Sequence, residues 1–362
     1  MKKINLELED RSYSINIGVS IFDNILDYIK KLKINYNIFV VVDKNVEKFH
    51  SQKIKKAFKG AEKEVHFHYM RSDETKKTMV EVNRIYSELL QCHFGRDTLM
   101  VAIGGGLLGD IAGFAASSFM RGIPLIIVPT TLLACLDSSI GGKNGINFEN
   151  KKNIIGTFYQ PKIVITDPEF LTSLPKKEMI SGMGELIKYT MLADYNLFIK
   201  VNNYFNDIIN KDIEILEEVI IKGASLKCSI IEQDEKEEGI RKILNLGHTF
   251  GHSIESNLKF KITHGESVIA GIIASLLLAE KLDIIMTAKK DLFLKLLTKI
   301  KLPKNILTLK NEDVYETMYA DKKIKNKKIN FILLQDIGST LLNIEVPQKD
   351  VFYALDRLKE FV

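Results

Sequence analysis

The segment "TLMVAIGGGLLGD" (98–110) passes from a short apolar run directly into a cluster of glycines. A run of this length, ended by glycine, is typical of a buried strand that turns tightly into a helix. Gly104, Gly106 and Gly109 have the G-x-G-x-x-G spacing that lets helix N-terminal N–H groups approach a pyrophosphate. A plain strand-to-helix turn explains this motif equally well when it is taken alone.

Similar strand-like runs lie on both sides of this segment. They cover residues 37–43, 124–131 and 162–168, and a helical pattern lies between two of them at 76–92. Strands that alternate with helices predict a mostly parallel sheet covered by helices. The acid that normally follows the glycine turn by about 20 residues is missing, so Asp43, at the end of the first run, is the better candidate for a ribose or adenine contact.

The pattern changes after about residue 175. The chain then reads as successive helices with one late strand at 328–336; the predicted helices cover 178–193, 211–231, 245–258, 264–283 and 288–299. We therefore predict an α/β dinucleotide-binding domain over 1–176 and an all-α C-terminal domain over 177–362.

Composition excludes several classes of function. The 362 residues include 51 basic and 46 acidic ones, and a net charge of +5 is too small to predict a nucleic-acid interface. Cys92, Cys135 and Cys228 are too scattered for a disulfide framework, which fits a reducing cytoplasm. The N-terminal residues lack an apolar signal segment, and the longest apolar stretch is far shorter than the ~20 residues of a membrane span. We expect a cytoplasmic protein without a membrane partner.

Basic and polar residues cluster between 121 and 160. Arg121, Lys143, Lys152 and Asn153 lie in glycine-rich, turn-forming sequence that suits a phosphate or carboxylate ligand. For any one of them alone a solvated loop side chain is the simpler interpretation, although the two glycines before Lys143 favour a site. Asp137 follows an apolar run, so it needs a partner, either a substrate hydroxyl or a lysine.

A metal site is the main hypothesis for the second half. In "LNLGHTFGHSIE" (244–255), His248 and His252 lie on one helix face, and this spacing alone favours them as a pair of metal ligands. Glu185 lies in a helix whose glycines predict a close approach by another element. Lys188, three residues later, would form only a surface ion pair with it in the simplest interpretation.

His264 follows Thr263, which forms a capping-box pattern with Glu266 and so predicts that a helix begins there. One glutamate and two histidines are a donor set found in catalytic zinc sites.

Six stretches together resemble the 3-dehydroquinate synthase family, and they occur in its order over most of the chain: "GGGLLGDIAGFAASSFMRGIPLIIVPTTLLACLDSSIGGKNGIN", "KNIIGTFYQP", "FLTSLP", "GMGELIKYT", "RKILNLGHTFGHSIE" and "HGESVIAG". The resemblance implies an N-terminal NAD-binding α/β domain, a helical C-terminal domain and an active site in the cleft. It also implies tightly held NAD, a zinc or cobalt ion, a sugar phosphate substrate and a homodimer.

The resemblance assigns the site residues individually. The metal ligands become Glu185, His248 and His264, which corrects the pairing suggested by spacing, and His252 becomes a proton-transfer residue beside the substrate phosphate. The residues that match positions holding phosphate, carboxylate and hydroxyl groups are Arg121, Lys143, Asn153, Lys188, Lys227, Arg241 and Asn245. Glu237 matches an acid near the substrate lysines, and Lys323, in preference to Lys322, matches a further phosphate lysine.

The positions that match NAD contacts are Ser72, Asp73, Glu74, Thr75, Lys76, Lys77, Gly106, Leu107, Leu108, Gly109, Asp110, Thr130, Thr131, Lys143, Lys152, Phe170, Leu171, Thr172 and Ser173. Asp137 matches an acid near both NAD and substrate. The chain departs from the family pattern at Asp73-Glu74, Asn144 and Gly184, and none of these departures removes a charged catalytic position.

The implied reaction converts 3-deoxy-D-arabino-heptulosonate 7-phosphate into 3-dehydroquinate and phosphate without net redox change. It passes through oxidation at C5, β-elimination of phosphate, return of hydride, ring opening and an internal aldol closure. The alternatives are a metal-dependent polyol dehydrogenase of the glycerol type, another sugar-phosphate cyclase and a non-catalytic NAD-binding scaffold. Arg241 and the "GGK…KN" set favour a substrate that carries a carboxylate.

Overall fold

A computed structural model describes residues 1–149, 151–259, 261–322 and 329–362. The chain forms two compact units, the first of Met1–Pro175 with Lys211–Glu235 and the second of Lys176–Asn210 with Lys236–Val362. The units differ from the predicted domains in one segment, because Lys211–Glu235 belongs with the first unit. None of the helices in the described ranges has the length and apolar character needed to cross a membrane.

The first unit is built on a seven-stranded sheet with a separate hairpin. The strands are β1 (Lys2–Leu6), β2 (Tyr13–Ile17), β3 (Asn37–Asp43), β4 (Val65–Met70), β5 (Thr98–Gly104), β6 (Leu125–Pro129), β7 (Lys143–Phe148), β8 (Lys151–Phe158) and β9 (Ile163–Thr166). The sheet order is β1-β2-β9-β6-β5-β3-β4, and only β1 and β2 pair antiparallel within it. The four strands predicted from the sequence are β3, β5, β6 and β9.

Helices cover this sheet. The helices of the first unit are α1 (Ile25–Lys31), α2 (Lys44–Ala57), α3 (Met79–Gln91) and α4 (Gly106–Ser118), together with α8 (Ile213–Gln233) from the later segment. Every residue of the central strand β5 is buried, as expected for a parallel strand covered on both faces. Val40 and Val42 of β3 and Val101 and Ile103 of β5 form one apolar core with Phe22.

Strands β7 and β8 form an antiparallel hairpin that the sequence analysis did not predict. Gly145 lies opposite Gly156, and the register shifts between Ile146 and Phe148. Glycine pairs and an irregular register weaken the alternating pattern by which a strand is recognised. The hairpin carries Lys143 at its first position and Asn153 in its second strand.

The second unit is helical. Its helices are α5 (Lys176–Leu192), α6 (Tyr195–Asn203), α7 (Phe205–Ile209), α9 (His248–Asn257), α10 (His264–Lys281), α11 (Thr287–Leu297), α12 (Asn311–Lys322) and α13 (Gln348–Leu358). The hairpin β10 (Asn330–Asp336) and β11 (Ser339–Glu345) also lies in this unit, so it is not purely α-helical. The first of these strands is the predicted late strand, and the second was not predicted.

Glycines bring the helices of the second unit unusually close together. A Cβ atom added at Gly184 on α5 would meet the backbone of Gly265 on α10 at 2.5 Å. A Cβ added at Gly271 on α10 would collide with the backbone of Gly247 and Gly251 at the start of α9. As predicted, a glycine next to Glu185 allows another element, here α10, to approach α5 closely. The first turns of α9 and α10 are likewise packed directly against the backbone of a neighbouring helix.

Candidate functional site

Three side chains from three helices converge in the second unit. Glu185 Oε1, on α5, lies 3.5 Å from His248 Nε2 on α9 and 3.2 Å from His264 Nε2 on α10. One ligand atom from each residue lies within 4.8 Å of the other two. Among the described residues, no other set of three histidine, cysteine or acidic side chains comes this close together. Ligands about 2.1 Å from a tetrahedral zinc ion are about 3.4 Å apart, so this spacing fits a divalent cation.

Local sequence explains why two of these side chains occupy the first turn of a helix. Thr263 and Glu266 form a capping box, in which Glu266 Oε2 accepts from Thr263 N at 2.8 Å, so α10 begins with His264. Gly247 has a φ of 79°, a left-handed conformation that glycine adopts readily, and α9 begins immediately after it with His248.

The two imidazoles differ in their electrostatic surroundings. Burial, reinforced by the charge of Lys188, holds the pKa of His248 well below its ordinary value, which favours the neutral, metal-binding form. Burial also acts to lower the pKa of His264, but the carboxylates of Glu185 and Glu255 outweigh it and raise that pKa to about 9. A divalent cation at His264 Nε2 would take the place of a proton between that nitrogen and Glu185 Oε1.

Lys188 forms an ion pair with the second carboxylate oxygen of Glu185, Oε2. Their side chains are 2% and 1% exposed, so this is a buried pair and not the surface pair considered from the sequence. Removing one member of such a pair leaves an uncompensated charge in the interior. The pairing leaves Oε1 of Glu185 as the oxygen that faces the two imidazoles.

His252 lies beside this cluster without belonging to it. Its ring centroid is 5.0 Å from that of His248 and 6.1 Å from that of His264. The pairing of His248 with His252, suggested by spacing, is therefore not the pairing that the helices bring together around Glu185.

The other predicted residues of the second unit lie before α9 or outside the described residues. Asn245 donates a hydrogen bond to Glu237, and Arg241, between them in the chain, is 2% exposed. Lys323 lies outside the residues that the structure describes.

In the first unit the glycine turn lies at the point where the strand order reverses. The parallel strands β4-β3-β5-β6-β9 have the order 2-1-3-4-5 when they are numbered along the chain from β3. This strand order differs from that of the Rossmann fold. In such sheets ligands bind beyond the carboxyl ends of the two strands at the reversal, here β3 and β5. Strand β5 ends at Gly104, and α4 begins at Gly106, as the motif predicts.

Asp43, at the end of β3, has a structural role in the described chain. Its carboxylate accepts from Asn45 N at 2.6 Å and caps α2, and the residue is 4% exposed. This cap is sufficient reason for an acid at this position. The contact with ribose or adenine remains a prediction.

Several predicted NAD residues belong to one network. Lys77 Nζ lies 2.5 Å from Asp110 Oδ2 and also donates to Asn153 Oδ1. Burial raises the pKa of Asp110 to about 6, and Lys77 opposes this rise. Lys152 Nζ lies 3.7 Å from Glu74 Oε1. Asn153 and Lys152 both belong to β8, so Lys77 and Glu74 each contact the β7–β8 hairpin.

Asn147 was missed by the sequence analysis although it joins this network. Its amide nitrogen donates to Glu74 Oε1 at 2.8 Å, and its Oδ1 accepts from Asn153 N at 3.0 Å. An asparagine in a turn-forming stretch carries no signal that separates it from an ordinary turn residue.

Asp137 has a lysine partner, which is one of the two partners considered from the sequence. Lys227 Nζ, on α8, lies 2.6 Å from Asp137 Oδ1 and 2.5 Å from the Asp137 backbone oxygen. Asp137 lies in a π-helical turn, Ala134–Ser138, a conformation that is frequent at functional sites.

The remaining predicted residues differ in exposure to solvent. Arg121, Lys143, Asp73 and Thr172 are exposed, whereas Thr130, Phe170, Leu171 and Leu108 are buried. The residues of intermediate exposure are Ser72, Lys76, Gly106, Leu107, Gly109, Thr131 and Ser173; Glu74 and Thr75 are exposed. Phe170 packs edge-on against Phe22 at 5.1 Å, so its position is explained by the core.

Comparison with known proteins decides the family. Residues 67–181 match the model for the N-terminal part of 3-dehydroquinate synthase, and residues 182–324 match the model for its C-terminal part. The chain belongs to the 3-dehydroquinate synthase family. The 3-dehydroquinate synthase of Clostridium acetobutylicum is 39% identical over 353 residues, 97% of this chain and 98% of that protein. That of Acetivibrio thermocellus is 38% identical over 351 residues, 97% of each chain.

Solved structures agree with the fold of this family. A 2-deoxy-scyllo-inosose synthase complexed with carbaglucose-6-phosphate, NAD+ and Co2+ has a TM-score of 0.86 and 25% identity, with 98% of this chain and 99% of that chain covered. A probable glycerol dehydrogenase from Sinorhizobium meliloti has a TM-score of 0.66 at 14% identity, with 96% of each chain covered. The predicted fold class, a parallel α/β unit followed by a helical part, is thereby confirmed.

Proposed function

We propose that this chain converts 3-deoxy-D-arabino-heptulosonate 7-phosphate into 3-dehydroquinate and phosphate, using NAD and a divalent metal ion, in aromatic amino acid biosynthesis. The family match and the 38–39% identity to named 3-dehydroquinate synthases support this lyase activity. The convergence of Glu185, His248 and His264 is the structural observation that carries the metal-dependent part.

The donor set fits a zinc or cobalt ion, because both accept imidazole nitrogen and carboxylate oxygen. When bound, the metal would favour ionisation of a coordinated substrate hydroxyl, and NAD would take up and return a hydride. Glu185 offers Oε1 to the ion while Lys188 holds Oε2, so the carboxylate keeps one orientation. We assign NAD to the first unit, at the reversal between β3 and β5, and the metal to the second.

The cationic residues would bind the acidic groups of the substrate. Lysine and arginine fix a phosphate dianion or carboxylate electrostatically, which suits Arg121, Lys143, Lys188, Lys227 and Arg241.

The polar residues would complete the site. Asn153 and Asn245 would hydrogen-bond substrate groups, with Glu237 orienting the amide of Asn245. His252 would assist proton transfer beside the phosphate. It lies next to the Glu185–His248–His264 cluster, which we call the metal cluster, but is not one of its ligands.

The first alternative is a metal-dependent polyol dehydrogenase. It shares the fold at 14% identity but does not require this set of cations. The second alternative is another sugar-phosphate cyclase, and the 25% identity to the inosose synthase is well below the 38–39% to 3-dehydroquinate synthases.

The decisive assay supplies the heptulosonate phosphate with substoichiometric NAD and Zn2+ or Co2+. We expect phosphate release far in excess of the NAD present, with no net accumulation of NADH. His264→Ala serves as the matched inactive control. NADH that accumulates in step with substrate consumption would identify a dehydrogenase and overturn the proposal.

We also propose that the chain acts as a homodimer in the cytoplasm. The family resemblance supports the dimer, and the three scattered cysteines support a reducing compartment. A monomer in analytical ultracentrifugation at micromolar concentration would contradict the first of these statements.

A further inference from the structure

Glu255, the last residue of the stretch 244–255, faces the metal cluster although no role proposed above uses it. It follows His248 by seven residues and His252 by three, so all three side chains lie on one face of α9. The residue is 7% exposed, and its Oε2 lies 3.9 Å from His264 Nδ1 on α10. A carboxylate that is buried this completely requires a compensating partner.

The two imidazoles of the cluster share one arrangement. His248 directs Nε2 towards Glu185, and its Nδ1 lies 3.2 Å from the backbone oxygen of Leu246. His264 also directs Nε2 towards Glu185, and its Nδ1 faces Glu255. In each ring the nitrogen that points away from Glu185 thus faces an oxygen acceptor.

This arrangement matters because an imidazole nitrogen binds a cation only when it carries no proton. An acceptor at Nδ1 holds the proton there, leaves Nε2 as the ligand atom and fixes the plane of the ring. A carboxylate acceptor also makes the ligating nitrogen more basic than a backbone carbonyl does. For His248 the acceptor belongs to the backbone and is independent of side-chain identity, whereas for His264 it is a single side chain.

We propose that Glu255 is a positioning residue that holds His264 with its proton on Nδ1 and its Nε2 directed towards Glu185 and His248. This role rests on the metal centre proposed above. Glu255 does not contact the cation; it acts through His264. One face of α9 then supplies a ligand, a residue beside the substrate phosphate and the support for a ligand on the next helix.

The test measures Zn2+ affinity of the full chain by competition with a chromophoric chelator, without NAD or substrate. Loss of the outer carboxylate in Glu255→Ala should weaken Zn2+ binding by about 10- to 100-fold. Glu255→Gln should lose less, because the amide oxygen still accepts from Nδ1. Glu266→Gln is the matched control, since Glu266 lies in the same turn as His264 but accepts from Thr263 instead. It should bind Zn2+ as the unmodified chain does.

Two further readouts separate positioning from a purely structural role. Thermal unfolding of Glu255→Gln in excess chelator measures what the substitution costs the metal-free chain. The additional stabilisation gained on adding Zn2+ should then be smaller in the variant than in the unmodified chain. The visible absorption of the Co2+-loaded Glu255→Gln variant should differ from that of the Co2+-loaded unmodified chain, because the acceptor at Nδ1 of one ligand is no longer charged. If Glu255→Ala does not fold, the Zn2+ affinity and Co2+ absorption of Glu255→Gln alone test the proposed role of Glu255.

The outcomes distinguish this inference from the proposed function. If His264→Ala binds Zn2+ with unchanged affinity, both the metal centre and the role of Glu255 are wrong. If His264→Ala loses affinity while both Glu255 variants retain it, only the role of Glu255 is wrong. An equal loss of affinity in Glu266→Gln would also overturn that role, because the effect would then come from the helix start.

Discussion

The Glu185–His248–His264 cluster of the second unit and the β7–β8 hairpin of the first unit hold their polar side chains in opposite ways. Glu185 and Lys188 are 1% and 2% exposed, and helix packing within one unit brings the imidazoles to them. Lys143 and Asn153 are exposed residues on the β7–β8 hairpin of the other unit. The difference indicates that folding of the second unit fixes the three side chains of the cluster, whereas Lys143 and Asn153 remain accessible to solvent.

A second contrast lies within the first unit. The lysines that are buried there are paired with acids, Lys77 with Asp110 and Lys227 with Asp137. Burial without such a partner would oppose the charged form. Substitution of either buried lysine should therefore lower stability whatever else it does, whereas substitution of the exposed Lys143 should act mainly on activity.

The largest effect is expected at Glu185. Glu185→Gln should abolish both metal content and phosphate release, because the amide does not supply the charge that the cation and Lys188 require. Both Glu185→Gln and Glu185→Ala should in addition lower the free energy of unfolding by about 3–5 kcal/mol, since each leaves Lys188 buried without its carboxylate. Metal analysis after dialysis, phosphate release and urea unfolding measure the three quantities.

Glu178→Gln is the matched control for this prediction. Glu178 lies on the same helix but is exposed, so metal content, activity and stability should all be retained. Full metal occupancy in both Glu185 variants would contradict the ligand assignment.

Lys143 should show the reverse balance between activity and stability. Because its side chain is exposed, Lys143→Ala should leave the unfolding midpoint unchanged while kcat/KM falls on the order of 10²-fold, through loss of a charge that stabilises an anionic substrate. Lys151→Ala, at an exposed position on the same hairpin, should change neither quantity. Wild-type turnover in Lys143→Ala would remove Lys143 from the site.

The same contrast explains what could be predicted from the sequence. Strand β5 with its glycine turn, and the start of α10 at His264, depend on residues adjacent in the chain, and both were predicted. The incorrect pairing of His248 with His252 used local spacing for a property that depends on three helices. The resemblance replaced His252 by His264 in the ligand set, because a family pattern records contacts between distant segments.

Two parts of the fold were missed for related reasons. The β7–β8 hairpin pairs Gly145 with Gly156, and because glycines are typical of turns, the sequence of this segment predicts a loop. The helix predicted at 211–231 is present as Ile213–Gln233, but its segment, Lys211–Glu235, clusters with the first unit and not with the predicted C-terminal domain. A helical pattern identifies an apolar face without specifying the surface against which that face packs.

Two glycine substitutions, one in each unit, should have smaller effects on stability and on ligand affinity. Gly271→Ala would place a Cβ against the backbone of Gly247 and Gly251, next to His248. We expect it to destabilise the chain by about 1–3 kcal/mol through overpacking, although alanine is intrinsically the better helix former. Because the start of α9 must move, Zn2+ affinity should fall together with stability; urea unfolding and chelator competition measure both.

Gly109→Ala is the counterpart in the first unit. Apart from its chain neighbours and the backbone of its own helix, no protein atom in the described ranges lies within 4 Å of an added Cβ at Gly109, which is in the first turn of α4. Stability should therefore stay the same or rise by up to about 1 kcal/mol, while NAD affinity, measured by calorimetry, should fall because the methyl group occupies the approach proposed for the pyrophosphate. Unchanged NAD affinity would mean that the glycine motif serves only the turn, the alternative that its spacing left open.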